Sequence, residues 1–130
     1  MIDCDAYDRF YWEDVEWGWR ARKLGYRSLF CADSAVHHEQ GATVRRFFTP
    51  AQVEAMWLRN RALFQLRNWV SAGRLDSVLD LLAGAPEDVT ESFTGRRTMW
   101  RIARGRWWSQ RAPLTDEEVL GSWKRYISSC

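Results

Sequence analysis

The sequence predicts an α/β fold that is mostly helical, with two or three short strands near the N-terminus. Residues 13–24 begin with acidic side chains and end before Gly25, which is the pattern of a short helix followed by a C-terminal glycine. The aromatic and apolar run 26–31 predicts a strand, and residues 35–38 predict a second extended piece. From residue 49 onward, apolar side chains recur at helical spacing. A helix and strands in the N-terminal part, followed by helices in the rest of the chain, favour the α/β class.

The clearest helix start is at Thr49, which can cap a helix that begins with Pro50. Gln52 can reach back to complete a capping box. At about 100° per residue, the apolar side chains that fall on one side of this helix are Val53, Met56, Trp57, Leu63, Phe64 and Val70. Asn60 lies in the middle of that stripe, where a buried amide without partners costs about 1–3 kcal/mol.

Three further helices are predicted behind this one. Residues 74–83 carry apolar side chains on one face and stop at Gly84, and residues 96–108 form the next helical stretch. A second capping box, Thr115 with Glu118, opens the last helix. We therefore divide the chain into a front part, residues 1–48, and a C-terminal helical region, residues 49–130.

Composition places the 130 residues in one globular domain and excludes several classes of protein. Nine tryptophans supply ample material for a core. No run approaches the roughly 18 apolar residues of a membrane-spanning helix, and the N-terminus lacks the features of a signal peptide. The three cysteines have neither the even number of a disulfide framework nor the spacing of a zinc site. We therefore expect a soluble, intracellular chain with free thiols.

Charge is distributed unevenly along the chain. Acids dominate the first twenty residues, whereas the stretch from Arg96 to Arg111 holds six arginines and no acid. The tryptophans interleaved with these arginines are Trp100, Trp107 and Trp108. Such a stretch is typical of a solvated helix with its tryptophans packed inward, of a helix on an anionic membrane surface, or of a nucleic-acid-binding segment. We rank the three in that order, so peripheral membrane contact through Arg96 to Arg111 is preferred over nucleic acid.

Glu13 and Asp14 are the first candidates for chemistry. They are adjacent carboxylates at the start of a predicted helix, where backbone amides point outward. One carboxylate can be fixed in orientation there while the other stays free to accept a proton, which suits a general base. The alternative is structural, because acids in the first turn also stabilise a helix through its dipole.

His37 and His38 are the only histidines. On a strand their side chains point to opposite faces, so at most one of them can face a given site. A helix of about eleven residues climbs about 16 Å, and a strand retraces that distance within about five residues. His38 and Asp14 can therefore converge, although a metal site there needs further oxygen ligands.

Several motifs in this region form an ordered set. They are the aromatic-led Glu-Asp stretch 11–20, the Lys-Leu-Gly-Tyr stretch 23–26, the extended stretch 32–38 that ends in histidine, and Gly-Ala-Thr at 41–43. The set resembles the second half of a family 2 glycosyltransferase with the GT-A fold. Residues 57–61, Trp-Leu-Arg-Asn-Arg, are similar to the Arg-Asn helix that follows in bacterial members. The resemblance covers about residues 8–70.

The resemblance implies an inverting transfer of a sugar from a nucleotide-diphospho-sugar donor to a hydroxyl of a glycan or lipid-linked glycan. It assigns Asp14 as the general base, Glu13 as its neighbour beside the acceptor, and His38 as a ligand of a divalent metal, magnesium or manganese. The tryptophans expected around the acceptor are Trp12, Trp17 and Trp19. Such a displacement needs a carboxylate to take the acceptor proton while a cation stabilises the leaving diphosphate.

The chain departs from this family in several respects. The third acid of the first motif is Glu16, where aspartate is commoner, and its role is left open. An Asp-x-Asp motif preceded by a strand is missing, and Asp3-Cys4-Asp5 matches the letters by coincidence. The nucleotide-binding half is therefore expected to be absent, and the chain alone to be inactive. With that half, the enzyme would work in the cytoplasm, with peripheral contact at the inner face of the cell membrane. Two alternatives stay open: a non-catalytic Arg/Trp-rich module that binds a membrane surface or nucleic acid, and an inert truncated remnant.

Overall fold

A computed structural model describes residues 6–7, 11–39 and 41–127, and the Asp3-Cys4-Asp5 stretch lies outside them. Within these ranges the chain forms helices connected by turns and extended segments. The helices are α1 (Glu13–Lys23), α2 (Ala42–Phe47), α3 (Pro50–Asn68), α4 (Ala72–Ala83), α5 (Glu87–Glu91), α6 (Arg96–Ser109) and α7 (Asp116–Ile127). None of them combines the length and the apolar character that a membrane crossing requires.

The predicted α/β class is wrong, and with it the GT-A-like sheet that the resemblance implied. The described part of the chain contains no strand and no sheet. The predicted strands at 26–31 and 35–38 lie instead in a non-helical segment, residues 24–39, in which every residue is exposed. The apolar pattern there predicted strands because it fits a pleated, covered surface, but a strand also needs a neighbour to accept its backbone hydrogen bonds. The described residues supply no such neighbour.

The predicted helix starts and stops are confirmed where a local cap sets them. α1 ends at Lys23 before Gly25, whose φ of 87° suits glycine. α3 begins with the predicted capping box, in which the Thr49 hydroxyl accepts from Gln52 N at 3.3 Å. At α7 the amide of Thr115 donates to the Glu118 carboxylate at 2.7 Å, and these hydrogen bonds lower the pKa of Glu118. The short helices α2 and α5 were not predicted.

The core is centred on α3, which packs against α4, α5 and α6. Its main buried apolar residues are Leu63 and Phe64 of α3 and Ile102 of α6. Leu63 and Phe64 belong to the apolar stripe predicted for α3. Tyr7, ahead of α1, is buried against them. The stripe is shorter than predicted, because α3 ends at Asn68 and Val70 lies beyond it.

α3 and α6 lie in close contact at Gly105. A Cβ at this position would lie 2.7 Å from Cβ of Arg67 and 3.1 Å from its carbonyl oxygen. Neither atom can move without shifting the α3 backbone. The absence of a side chain at Gly105 is therefore a condition of this helix contact.

The change Gly105→Ala should lower the free energy of unfolding. Overpacking typically costs about 1–3 kcal/mol, which exceeds the gain of roughly 1 kcal/mol that alanine has over glycine inside a helix. Urea denaturation measures the difference. Gly73→Ala is the control, since nothing lies within 4 Å of a Cβ built there in α4. Equal stabilisation by both changes would contradict the close contact.

Candidate functional site at the start of the first helix

The backbone that leads into α1 is strained. Tyr11 and Trp12 have φ values of 70° and 77°, in the left-handed region that large side chains rarely adopt. Each such residue costs on the order of 1–3 kcal/mol and persists only where its surroundings hold it in place. The Trp12 ring is held between Trp57, at 5.6 Å between ring centroids, and Phe64, at 5.4 Å. Strain of this kind is typical of functional sites.

Asn60 supports the same turn from α3. Its side chain is fully buried, and its Nδ2 donates to the carbonyl oxygen of Tyr11 at 3.4 Å. Its Oδ1 accepts from the Arg59 guanidinium at 2.8 Å. The polar residue in the predicted apolar stripe therefore has partners, and it helps to position the start of α1.

Glu13 and Asp14 occupy the first turn of α1, as predicted, and both are exposed. The Asp14 Oδ1 accepts a hydrogen bond from the amide of Val15 at 2.8 Å. This bond restricts the orientation of the carboxylate and leaves Oδ2 to interact with another group. A carboxylate in this state can accept a proton from a bound hydroxyl.

A cavity of about 350 Å³ opens beside Asp14. Its volume lies within the range of small-molecule sites, and most of its wall is apolar. The polar side chains in the wall are Asp14, Arg22 and Ser28, and the other lining residues are Val15, Gly18, Trp19, Phe64, Trp69, Val119 and Leu120. The cavity thus combines an accessible carboxylate, a cation and two indole rings.

Of the three tryptophans predicted to surround an acceptor, only Trp19 lines this cavity. Its ring packs edge-on against Phe64 at 6.0 Å between centroids. Trp12 packs against the same Phe64 ring but does not line the cavity, and Trp17 is about half exposed and does not line it either. Arg22 was missed, although its spacing of eight residues from Asp14 places both on one face of a helix. No pattern in the nearby sequence indicated that Trp69 or the α7 residues would line the cavity.

His38 is exposed in the segment 24–39, as is His37. The predicted convergence of His38 with Asp14 requires a strand, and residues 24–39 form none. Among the residues that the structure describes, no three His, Cys, Asp or Glu side chains are grouped so that they could hold a metal ion. These residues therefore do not by themselves fit the divalent metal that the resemblance implies.

The opposite face of α1 carries a buried ionic cluster. Glu16 is 3% exposed, and its Oε1 accepts from Nε and Nη2 of Arg67 at 3.3 and 3.2 Å. Arg20, one turn later in α1, forms a second ion pair with the same oxygen. Burial lowers the pKa of Arg20, which Glu16 opposes, and burial together with the Glu16 charge raises the pKa of Tyr7. Glu16, whose role the sequence left open, is a structural residue.

A second buried ion pair fixes the C-terminal end of α1. Lys23 Nζ lies 2.6 Å from Oδ1 of Asp116, and their side chains are 2% and 1% exposed. The other carboxylate oxygen of Asp116 accepts from the amide of Val70 at 2.8 Å. Asp116 thereby joins α1, the segment that follows α3 and the start of α7, and the orientation of α1 determines where Asp14 lies.

No protein-family model, no curated protein and no solved structure matches this chain. The resemblance of residues 8–70 to family 2 glycosyltransferases thus stays a prediction that rests on the motifs themselves.

Proposed function

We propose that this chain supplies the acceptor-binding part and the catalytic base of an inverting glycosyltransferase. The observation that carries the proposal is the Asp14 carboxylate, held by the Val15 amide at the edge of a cavity that Trp19 and Trp69 line. Indole rings are suited to the apolar faces of a sugar, and a carboxylate is suited to a hydroxyl. The donor, a nucleotide-diphospho-sugar, would be bound by polypeptide outside the described residues.

The proposed reaction is a direct displacement at the anomeric carbon. An acceptor hydroxyl of a glycan or lipid-linked glycan donates a hydrogen bond to Asp14. Its oxygen attacks the anomeric carbon from the face opposite the diphosphate, and the bond to the phosphate oxygen breaks with its electron pair on the leaving nucleoside diphosphate. The proton passes from the acceptor to Asp14, which removes positive charge from the attacking oxygen.

The segment 24–39 supports the need for a further polypeptide. Its large apolar side chains are highly exposed: Tyr26 by 69%, Leu29 by 83%, Phe30 by 87% and Val36 by 86%. Exposed apolar groups of this density mark an interaction surface. We assign that surface to the donor-binding part. The exposed free thiol of Cys31 fits the cytoplasm, where thiols remain reduced.

The change Asp14→Asn should reduce sugar transfer by at least about 10²-fold, because a general base contributes about 10²–10⁴-fold. The assay uses the full chain together with the polypeptide that supplies the donor site. It follows the release of nucleoside diphosphate and the mass of the glycosylated acceptor. Unchanged transfer by Asp14→Asn would contradict the assignment.

Asp88→Asn is the matched control for this change. Asp88 is also the second residue of a helix, it is exposed, and its Oδ1 accepts from the amide of the next residue at 3.0 Å. It does not line the cavity beside Asp14. Its replacement should therefore leave transfer unchanged.

Acceptor binding tests the proposal on the chain alone. Aryl glycosides should shift the NMR signals of the Trp19 and Trp69 indoles, and Trp19→Ala should weaken that binding. Absence of binding by any glycoside in a broad panel would remove the acceptor role and leave the inert remnant as the better description.

A further inference from the structure

Arginine and tryptophan side chains form a row along α6 on the side opposite its packed face. The packed face is formed by Ile102, Gly105 and Ser109, all of which are buried. The row, which we call the Arg/Trp stripe, consists of Arg97, Trp100, Arg104, Trp107 and Arg111. Its members are spaced alternately by three and four residues, so they lie on one side of the helix and of the turn that follows it.

The stripe faces outward, contrary to the preferred prediction that the tryptophans pack inward. Trp100 and Trp107 are 58% and 57% exposed, and Met99 beside them is 54% exposed. Trp108 alone of the three tryptophans predicted here is directed toward α1, where the Arg20 guanidinium lies 4.7 Å from its ring centroid. Two large indoles are thus kept in solvent next to cations.

An arginine guanidinium lies over one face of each exposed indole. The Arg104 guanidinium lies 5.2 Å from the Trp100 ring centroid, and that of Arg111 lies 4.4 Å from the Trp107 ring centroid. Arg111 is held there by a 3.0 Å hydrogen bond to the carbonyl oxygen of Trp107. On the covered face of each ring, a nucleic acid base would have to displace the arginine in order to stack. An indole edge flanked by guanidinium groups instead suits the boundary between lipid headgroups and acyl chains.

The charge and shape of the stripe also favour a lipid surface as its partner. No acidic residue occurs between Arg96 and Arg111. The 14 residues of α6 span about 21 Å, and a helix surface is convex, so the stripe can lie along a flat anionic surface. We propose that the Arg/Trp stripe docks this protein on anionic phospholipid headgroups, with Trp100 and Trp107 entering the interface. This binding does not depend on the proposed transferase activity.

Co-sedimentation with lipid vesicles tests the proposal on the full chain. At 50 mM NaCl, we expect binding to vesicles with one quarter phosphatidylglycerol to be at least tenfold tighter than binding to pure phosphatidylcholine. Raising the salt to 500 mM should weaken it by a similar factor, because the Debye length falls. Two variants should each bind the anionic vesicles at least tenfold more weakly: the triple change R97Q/R104Q/R111Q and the double change W100A/W107A.

The double change R46Q/F47A is the matched control. These residues form another exposed arginine and aromatic pair, 5.5 Å from guanidinium carbon to ring centroid, at the end of α2. Their replacement should leave vesicle binding unchanged, and circular dichroism checks that every variant keeps its helices.

Four results would overturn the proposal. Three of them are equal binding to neutral and anionic vesicles, no vesicle binding at 50 mM salt, and stripe variants that bind like the unchanged chain. Displacement from vesicles by stoichiometric single-stranded oligonucleotide would also overturn it and would identify nucleic acid as the partner.

Discussion

Replacing Glu16 with glutamine is expected to lower the free energy of unfolding by about 3–5 kcal/mol, the usual effect of removing one partner from a buried ion pair. The Glu16 carboxylate is the shared anion of Arg20 and Arg67, and all three side chains are buried. A neutral amide would leave two guanidinium groups close together in a region of low dielectric, where their repulsion is strong. Urea denaturation at neutral pH measures the loss.

Glu13→Gln provides the control for this experiment. Glu13 lies three residues earlier in the same helix and is exposed. Surface substitutions of this kind usually change stability by less than about 0.5 kcal/mol. If both variants unfold at the same urea concentration, the buried cluster does not hold α1 in place.

Asp116→Asn is the second change that we expect to lower the free energy of unfolding by about 3–5 kcal/mol. It would leave Lys23 as a buried cation without its carboxylate, and it would weaken the hydrogen bonds that Asp116 accepts from Val70 and Ser71. Because these contacts join α1 to α7 and to the segment between α3 and α4, the variant should also loosen the wall of the cavity beside Asp14.

The next residue offers a matched comparison. Glu117 pairs with Arg74 at 3.6 Å, but the two side chains are 63% and 33% exposed. Exposed ion pairs contribute about 0–1 kcal/mol, so Glu117→Gln should have little effect. Adding Lys23→Met to Asp116→Asn should recover part of the lost stability, since it removes the unpaired cation. Additive losses would contradict the pairing.

Helix ends were predictable from the sequence wherever local chemistry sets them. The capping boxes at Thr49 and Thr115 and the turn at Gly25 each depend on residues within four positions of one another. The absence of strands was not predictable, because the apolar pattern of residues 26–31 does not indicate whether a neighbouring strand exists. Strand formation depends on residues that are remote in the chain.

The candidate site was predictable only in part. The position of Asp14 in the first turn of α1 followed from the sequence, whereas the cavity beside it depends on α3 and α7. The buried face of α1 carries Glu16, Arg20 and Lys23, while Trp17 is exposed. Hydrophobic periodicity assigns charged residues to solvent, so it could not indicate this orientation. Only the partners, Arg67 and Asp116, explain it.

The two ionic contacts of α1 also bear on when the site exists during folding. Glu16 meets Arg67 across 51 positions, and Lys23 meets Asp116 across a longer stretch of chain. Closing such loops costs chain entropy before the buried charges can compensate one another. We therefore expect α1 to dock late, after α3 and α7 have formed. The Asp14 carboxylate then acquires its position only in the last stage of assembly, and glycoside binding at this helix would report completed folding.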